Sequence, residues 1–442
     1  MEILQQILFL VSIAVSIGLF YKKIKQIRRN IFLGQPELIN DHYAKRWKNV
    51  LLLAFGQKKM FKNPTVAFLH LFVYLGFIII NIEILEIIID GLTGSHRIFA
   101  PYIPALYSFL INSFEFLAAS VIIVCLIFLI RRNILPILRF KSADLKGWPT
   151  KDANLILLVE IILMSLFLTM NAADSILQQA NQEPYSLHKT SPFLISSYVS
   201  ILFSGWPTHM LIILERICWW LHILGIFVFL NYLPWSKHLH ILLAFPNAFY
   251  ARLTPQGKLH NMHSVQQEVL YSFQPELAPT SSEAVSHIKF GAKDIPDLSW
   301  KNILDAYTCT ECGRCSSACP ANQTGKLLSP RKIMMNTRDR AEEIGKNIDK
   351  NGSFRDDSKS LLFDYVKEEE LRACTTCNAC VEACPVSINP LDIIIQLRRY
   401  LVMEQSSAPS EWTAMFTNVE NNFAPWKFSP DNRINWTKES EG

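Results

Sequence analysis

Five stretches of this 442-residue chain, at roughly 3–20, 64–90, 106–130, 152–177 and 209–233, are long and apolar. Each falls within or above the range of roughly 17–25 helical residues that cross a bilayer core. In lipid the backbone must satisfy its own hydrogen bonds, so such runs are expected to form a bundle of membrane-spanning helices. Half of all residues are hydrophobic and only 18% are charged, which is unlike an ordinary soluble domain and excludes collagenous, disordered and repeat architectures. The net charge of +5, from 43 basic against 38 acidic residues, is too mild to mark a nucleic-acid binder. In the first run the basic stretch KKIKQIRR follows the apolar residues instead of preceding them, so it reads as a retained span and not a cleaved signal.

Lysine and arginine are retained on the cytoplasmic side of a membrane. Residues 21–63 hold eleven of them and residues 131–151 six, whereas the two other loops hold one each, Arg97 and Lys189. This predicts a multi-pass protein of the inner (cytoplasmic) membrane, with its N-terminus outside and everything after about residue 234 in the cytoplasm. The stretch 191–204 is too short to span and is expected to lie at the outer interface.

Eight of the ten cysteines fall in two runs, CTECGRCSSACP at 309–320 and CTTCNACVEACP at 374–385. Each reads C-x2-C-x2-C-x3-C-P, the bacterial ferredoxin spacing, in which the fourth cysteine serves the other cluster. One [4Fe-4S] cluster is therefore assigned to Cys309, Cys312, Cys315 and Cys384, and the second to Cys374, Cys377, Cys380 and Cys319. Zinc is the alternative, but zinc ribbons separate their cysteine pairs by many more residues. The 54 residues between Cys319 and Cys374 are polar and expected to be helical, forming a linker that also contacts a partner. Cys125 and Cys218 lie in spans and are expected to pack.

A b-type haem with two histidine ligands needs an imidazole from each of two facing helices at one depth. His70, near the start of the second span, and His240, just past the fifth, meet that requirement on the cytoplasmic side, and haem ligation is favoured for this pair. His222 lies eighteen residues before His240, five turns of ideal helix or about 27 Å, so the two would face the same way unless Pro234 bends the register. For His222, ligation and a structural role remain equal alternatives. His238 is expected to face solvent, and His42, His96, His188, His209, His260, His263 and His287 to be loop or interface residues.

The segment WWLHILGIFVFLNYLPWSKHLHILLAFPNAFY, with spans two to five, resembles the cytochrome b subunit of respiratory nitrate reductase. That protein is a five-span di-haem quinol oxidase whose last span carries two histidines eighteen residues apart. With the cysteine runs added, the chain resembles the membrane-bound iron-sulfur oxidoreductases, a group that includes membrane heterodisulfide reductase, the sulfite-reduction membrane complex and electron-transfer-flavoprotein:menaquinone oxidoreductase. The cytochrome also carries a second histidine ten residues on in its second span. Here that position is Ile80, followed by Asn81, so one haem is expected. Larger members carry downstream CCG-type cysteine-rich modules, and the tail FTNVENNFAPWKFSPDNRINW looks like the segment before them. The resemblance implies that a separate subunit supplies those modules, with a soluble donor such as an electron-transfer flavoprotein.

Near the outer ends of the spans lie Glu83, Glu86, Asn112, Glu115, Asn171, Asp174, Glu215 and Arg216. Glu115 and Arg216 are deep enough to require partners. The cluster could line an outer quinone slot, against a slot beside the haem on the cytoplasmic side.

The fold class expected is mainly α: a five-helix transmembrane bundle followed by a cytoplasmic α-helical ferredoxin-like dicluster domain. Its divisions are a cytochrome b-like domain at 1–250, a linker at 251–300, the two-cluster domain at 301–402 and a docking tail at 403–442. The expected role is a respiratory-chain electron-transfer subunit between a cytoplasmic redox partner and menaquinone, through two [4Fe-4S] clusters and a b haem, with oxidoreductase activity residing in a complex. The rival is a membrane anchor that docks a soluble redox protein without haem. A transporter would show inverted repeats and broken helices, which the sequence lacks.

Overall fold

The structure, a computed structural model, describes residues 2–190, 192–278 and 289–439; His287 lies outside them. Among the described residues the regular structure is helical, with isolated bridges and no strand. Five helices are long and apolar enough to cross a membrane, and the chain is a membrane protein on that ground. They are α1 (Glu2–Ile31), α2 (Pro64–Thr93), α3 (Pro104–Asn133), α4 (Trp148–Gln179) and α5 (Thr208–Tyr232).

Local chemistry sets their ends. Proline stands in the first turn of α2, α3 and α4, where its missing N–H is no loss. The Asn63 side chain caps α2 by accepting from the Val66 N–H at 3.4 Å, and Arg131 and Arg132 close α3, where cations suit the negative end of the helix dipole. Successive helices α2 to α5 pack side by side, and α1 closes the ring between α5 and α2. Phe9, Ile111, Ala118, Cys125, Phe167, Trp219 and Ile223 fill the centre.

At one end of the bundle the polar side chains bind one another. Arg97, buried at the α2–α3 loop, donates to Asp174, Asn171 and Tyr107 at 2.5, 2.8 and 3.0 Å. The Tyr107 hydroxyl donates to Glu86, and Asp90 accepts from the Arg97 and Ile98 N–H groups. Glu115 accepts from the backbone of Ile195 and Ser196 and from Asn171, while Glu215 takes Arg216 and the Tyr185 hydroxyl. These buried charges are compensated in place, as a low-dielectric setting demands, and they staple the loops at this end.

At the other end, α1 runs past its apolar half through KKIKQIRR as helix. The reason is a tertiary contact: Ile27 and Ile31 enter the core of the C-terminal domain, with Ile303, Tyr307, Ile333, Ile344 and Leu397. Helix α5 stops at Tyr232. The chain turns through two short 3-10 segments, and α6 (His240–Phe249) starts afresh. His222 and His240 therefore sit on different helices, so the continuous five-turn register is corrected, with Pro234 at the break. Asp152 fixes the turn by accepting from the Ser236 hydroxyl and the Lys237 N–H at 2.7 and 3.1 Å.

The C-terminal domain is built on α7 (Trp300–Thr308), α8 (Pro330–Asn351) and α9 (Pro390–Arg399). The longest element between the cysteine runs is thus α8, packed on α1 and α7. The tail carries α10 (Ser410–Asn422), whose Trp412, Met415, Phe416 and Val419 are exposed.

Candidate iron-sulfur and histidine sites

The two cysteine runs adopt the same backbone. In the first, Glu311 and Gly313 are left-handed (φ 56° and 74°), and in the second Thr376 and Asn378 occupy the matching places (φ 56° and 62°). Each loop then enters a five-residue helix, Arg314–Ala318 or Ala379–Ala383, and leaves it through an extended fourth cysteine followed by proline. The two short helices pack against each other, which carries each fourth cysteine to the opposite loop. Cys309, Cys312, Cys315 and Cys384 line one cavity, and Cys319 lies close enough to Cys374 and Cys380 for its charge to act on both. Backbone N–H groups reach the sulfurs, from Thr376 to Cys374 at 3.4 Å and from Ile388 to Cys384 at 3.3 Å.

Burial pushes the Cys309, Cys380 and Cys384 thiols up to about 12, so thiolates there depend on a bound cation to offset their charge. Among the described residues no three histidine, cysteine or acidic side chains converge closely enough for a single metal ion. Cys377 is the exposed cysteine of the eight.

The first loop is keyed to the bundle. Glu311 is buried between Lys237 at 2.5 Å and Arg338 at 2.9 Å; burial opposes its charge, yet these two cations hold its carboxyl below the usual range. Arg331, fully buried beneath Gly313, pairs with Asp144 of the α3–α4 loop at 2.6 Å and donates to the Arg139 carbonyl at 2.9 Å.

Where the loop meets the bundle there is a cavity of about 380 Å³. His70, Tyr74, His238, His240 and several arginines line it, together with Cys312 and Arg314. The Nδ1 atoms of His70 and His240 are engaged, with the Gln57 Oε1 and the Lys237 carbonyl, each at 3.0 Å. Nε2 is thereby the nitrogen each offers to a ligand. Burial lowers His240 against the help of the Lys237 carbonyl, leaving a neutral imidazole, the form that ligates metal. The residues present fit a bis-histidine haem on that chemistry.

His238 corrects the sequence reading. It does not face solvent: the turn after Pro234 folds it inward, with its ring 5.4 Å from Phe229 and 5.6 Å from His240. Burial, then His240 and His70, push it down to about 3. Nothing local in the sequence marked it, since its place depends on where the helix breaks. His222 lies apart, its Nδ1 3.0 Å from the Leu163 carbonyl and its ring against Phe167. Two histidines expected in loops have defined partners, His96 beside Asp174 at 3.4 Å and His260 beside Asp392 at 3.1 Å.

The 4Fe-4S dicluster domain family matches residues 308–388. Across 98% of its length the chain is 30% identical to the probable iron-sulfur-binding oxidoreductase FadF of Bacillus subtilis, covering 61% of that protein. It is 26% identical, over 99% of its length, to the EtfAB:quinone oxidoreductase of Syntrophomonas wolfei, covering 60% of it. The chain thus spans about three-fifths of the length of these relatives. Over 24% of its length it is 34% identical to one component of the ferredoxin/F(420)H(2)-dependent CoB-CoM heterodisulfide reductase of Methanosarcina acetivorans, covering 52% of that component. No solved structure matches the chain. Its homologues are iron-sulfur oxidoreductases, and the paired cysteine loops form a 4Fe-4S dicluster domain.

Proposed function

We propose that the chain passes electrons between a cytoplasmic redox partner and the menaquinone pool, with two [4Fe-4S] clusters and one b-type haem as its carriers. When bound, these groups supply the one-electron chemistry, and the protein supplies ligands, spacing and electrostatics. The observation that carries the reading is the cavity that joins His70 and His240 of the bundle to Cys312 of the first cysteine loop.

Cys309, Cys312, Cys315 and Cys384 hold the first cluster, against the bundle. Cys374, Cys377, Cys380 and Cys319 hold the second, whose Cys377 is exposed to a soluble donor such as an electron-transfer flavoprotein. His70 and His240 hold the haem. His222 keeps a packing role, because it lies outside the cavity lined by His70 and His240 and its ring rests against Phe167. The quinone belongs at the same end of the bundle, beside the haem, since most polar side chains of the opposite end are consumed by one another, with the buried Glu83 carboxylate the exception. The basic loops that predict a cytoplasmic face are the ones packed against the dicluster domain, as Lys23–Glu342 and Arg331–Asp144 show.

The test is a dithionite-reduced minus oxidised visible spectrum of the purified protein, with haem and iron quantified on one sample. A b-type α band at about one haem per chain over a broad iron-sulfur bleach is expected. His70→Ala and His240→Ala should each remove the haem and leave the iron-sulfur signal. Iron without haem would leave a ferredoxin on a membrane anchor, and full haem in both variants would refute the pairing.

A further inference from the structure

The lining of the histidine cavity is strongly one-sided in charge. It includes Arg131, Arg132, Arg139, Arg314 and Lys237 and no aspartate or glutamate. Lys237 is paired with Glu311, whereas among the described residues no ion pair joins any of the four arginines to a carboxylate. Two of them are also incompletely hydrogen-bonded: the buried Nε atoms of Arg132 and Arg139 have no partner. Buried guanidinium N–H groups without acceptors are costly, so such atoms mark places where a ligand supplies the missing ones. The ring of Phe140 holds the pair together, with Arg132 5.3 Å and Arg139 4.9 Å from its centre.

From this geometry we infer that the ligand of the cavity is a dianion whose two carboxylates are met by Arg132 and Arg139. The inference rests on the haem reading, in which the carboxylates are the two propionates. Arg132 and Arg139 are then positioning residues that compensate the ligand's charge and set the ease of its reduction, while His70 and His240 ligate. Guanidinium suits this task because its planar fork presents paired donors to a carboxylate and it stays charged when buried. The competing occupants of a cationic lining are a lipid phosphate and the thiolates of the adjacent cluster, and both are separable by measurement.

The experiment is an optical redox titration of haem and clusters in the purified full-length protein, comparing wild type with Arg132→Gln, Arg139→Gln and the lysine variants at both positions. Removing a cation beside the propionates should make the haem harder to reduce. At fixed potential the reduced-to-oxidised ratio should fall on the order of tenfold, about 59 mV for a one-electron couple. The lysine variants should recover most of that shift. Where a glutamine variant loses haem, recovery of haem and midpoint by lysine supports the assignment, and failure to recover overturns it. Wild-type haem content and midpoint in both glutamine variants overturns it, with a lipid phosphate as the remaining occupant. A shift confined to the clusters also overturns it, assigning the arginines to Cys312 instead. The underlying reading fails separately, if wild type carries no haem or if His70→Ala and His240→Ala retain it.

Discussion

Gly313 and Asn378 stand at the same point of the two cysteine loops, and both are left-handed. At Asn378 the side chain donates back to the Thr376 carbonyl, one way asparagine tolerates that conformation. At Gly313 there is no such room, because a Cβ would collide with the Arg331 guanidinium. Gly313→Ala should cost about 1–2 kcal/mol from backbone conformation alone, with the clash added. Iron analysis should show loss from the first quartet. Likewise Cys384→Ser should damage the first cluster although Cys384 lies in the second run; electron paramagnetic resonance confined to a second-cluster defect would refute the crossed pairing. His260 offers a pH test. Its hydrogen bond to Asp392 raises it above 6.5, outweighing burial. A raised histidine stabilises fully below its ordinary value, and that contribution fades as pH climbs through the raised one. Asp392→Asn should bring the His260 titration, followed by NMR, back toward 6.5, and an unchanged titration would dismiss the pair. At this scale the cysteine loops were legible because their signal is spacing within twelve residues. His238 was not, because its burial depends on a helix break and on groups brought in from other segments.

Helix α1 shows what an element owes to its neighbours. Its second half is basic, a composition that marks a loop in a membrane protein, yet it is helix because α8 lies along it. The charged contacts, Lys23–Glu342 and Arg29–Asp349, are partly exposed and worth roughly 0–1 kcal/mol each. The contact between Asn30 and the Tyr307 hydroxyl is buried at 3.0 Å, and Gly345 lets Asn30 approach α8 closely. Asn30→Leu should therefore cost about 1–3 kcal/mol by removing a buried partner, more than reversing either ion pair. Thermal unfolding of the purified protein orders the three variants. The five apolar spans were legible because lipid selects for runs of about 20 residues. The break between α5 and α6 was signalled by Pro234, but its consequence, two histidines on separate helices, required the fold.

At the scale of the molecule, the bundle and the dicluster domain share parts. Ile27 and Ile31 of α1 belong to the C-terminal core, and Arg331 is buried against the loop between two spans. Beside the second cysteine run a groove of about 870 Å³ has a mixed lining in which Lys58, Lys59, Lys62, Arg252 and Lys258 face Glu37, Asp41 and Asp392, with Asn378 and Glu382 at the run itself. An anionic donor reaching Cys377 would be steered by the basic side chains. Lys58→Glu with Lys59→Glu should slow cluster reduction by such a donor about tenfold at low salt and flatten its ionic-strength dependence; stopped-flow rates equal to wild type at every salt would exclude the groove as the approach. The unequal burial of the two quartets has a practical corollary for anyone handling the protein. Cys377 meets solvent while the first quartet has no exposed member, so dissolved oxygen attacks one loop first. Samples exposed to air should bleach in two stages, the second-run cluster ahead of the one beside the bundle, and the half-bleached species would keep the iron of the first quartet.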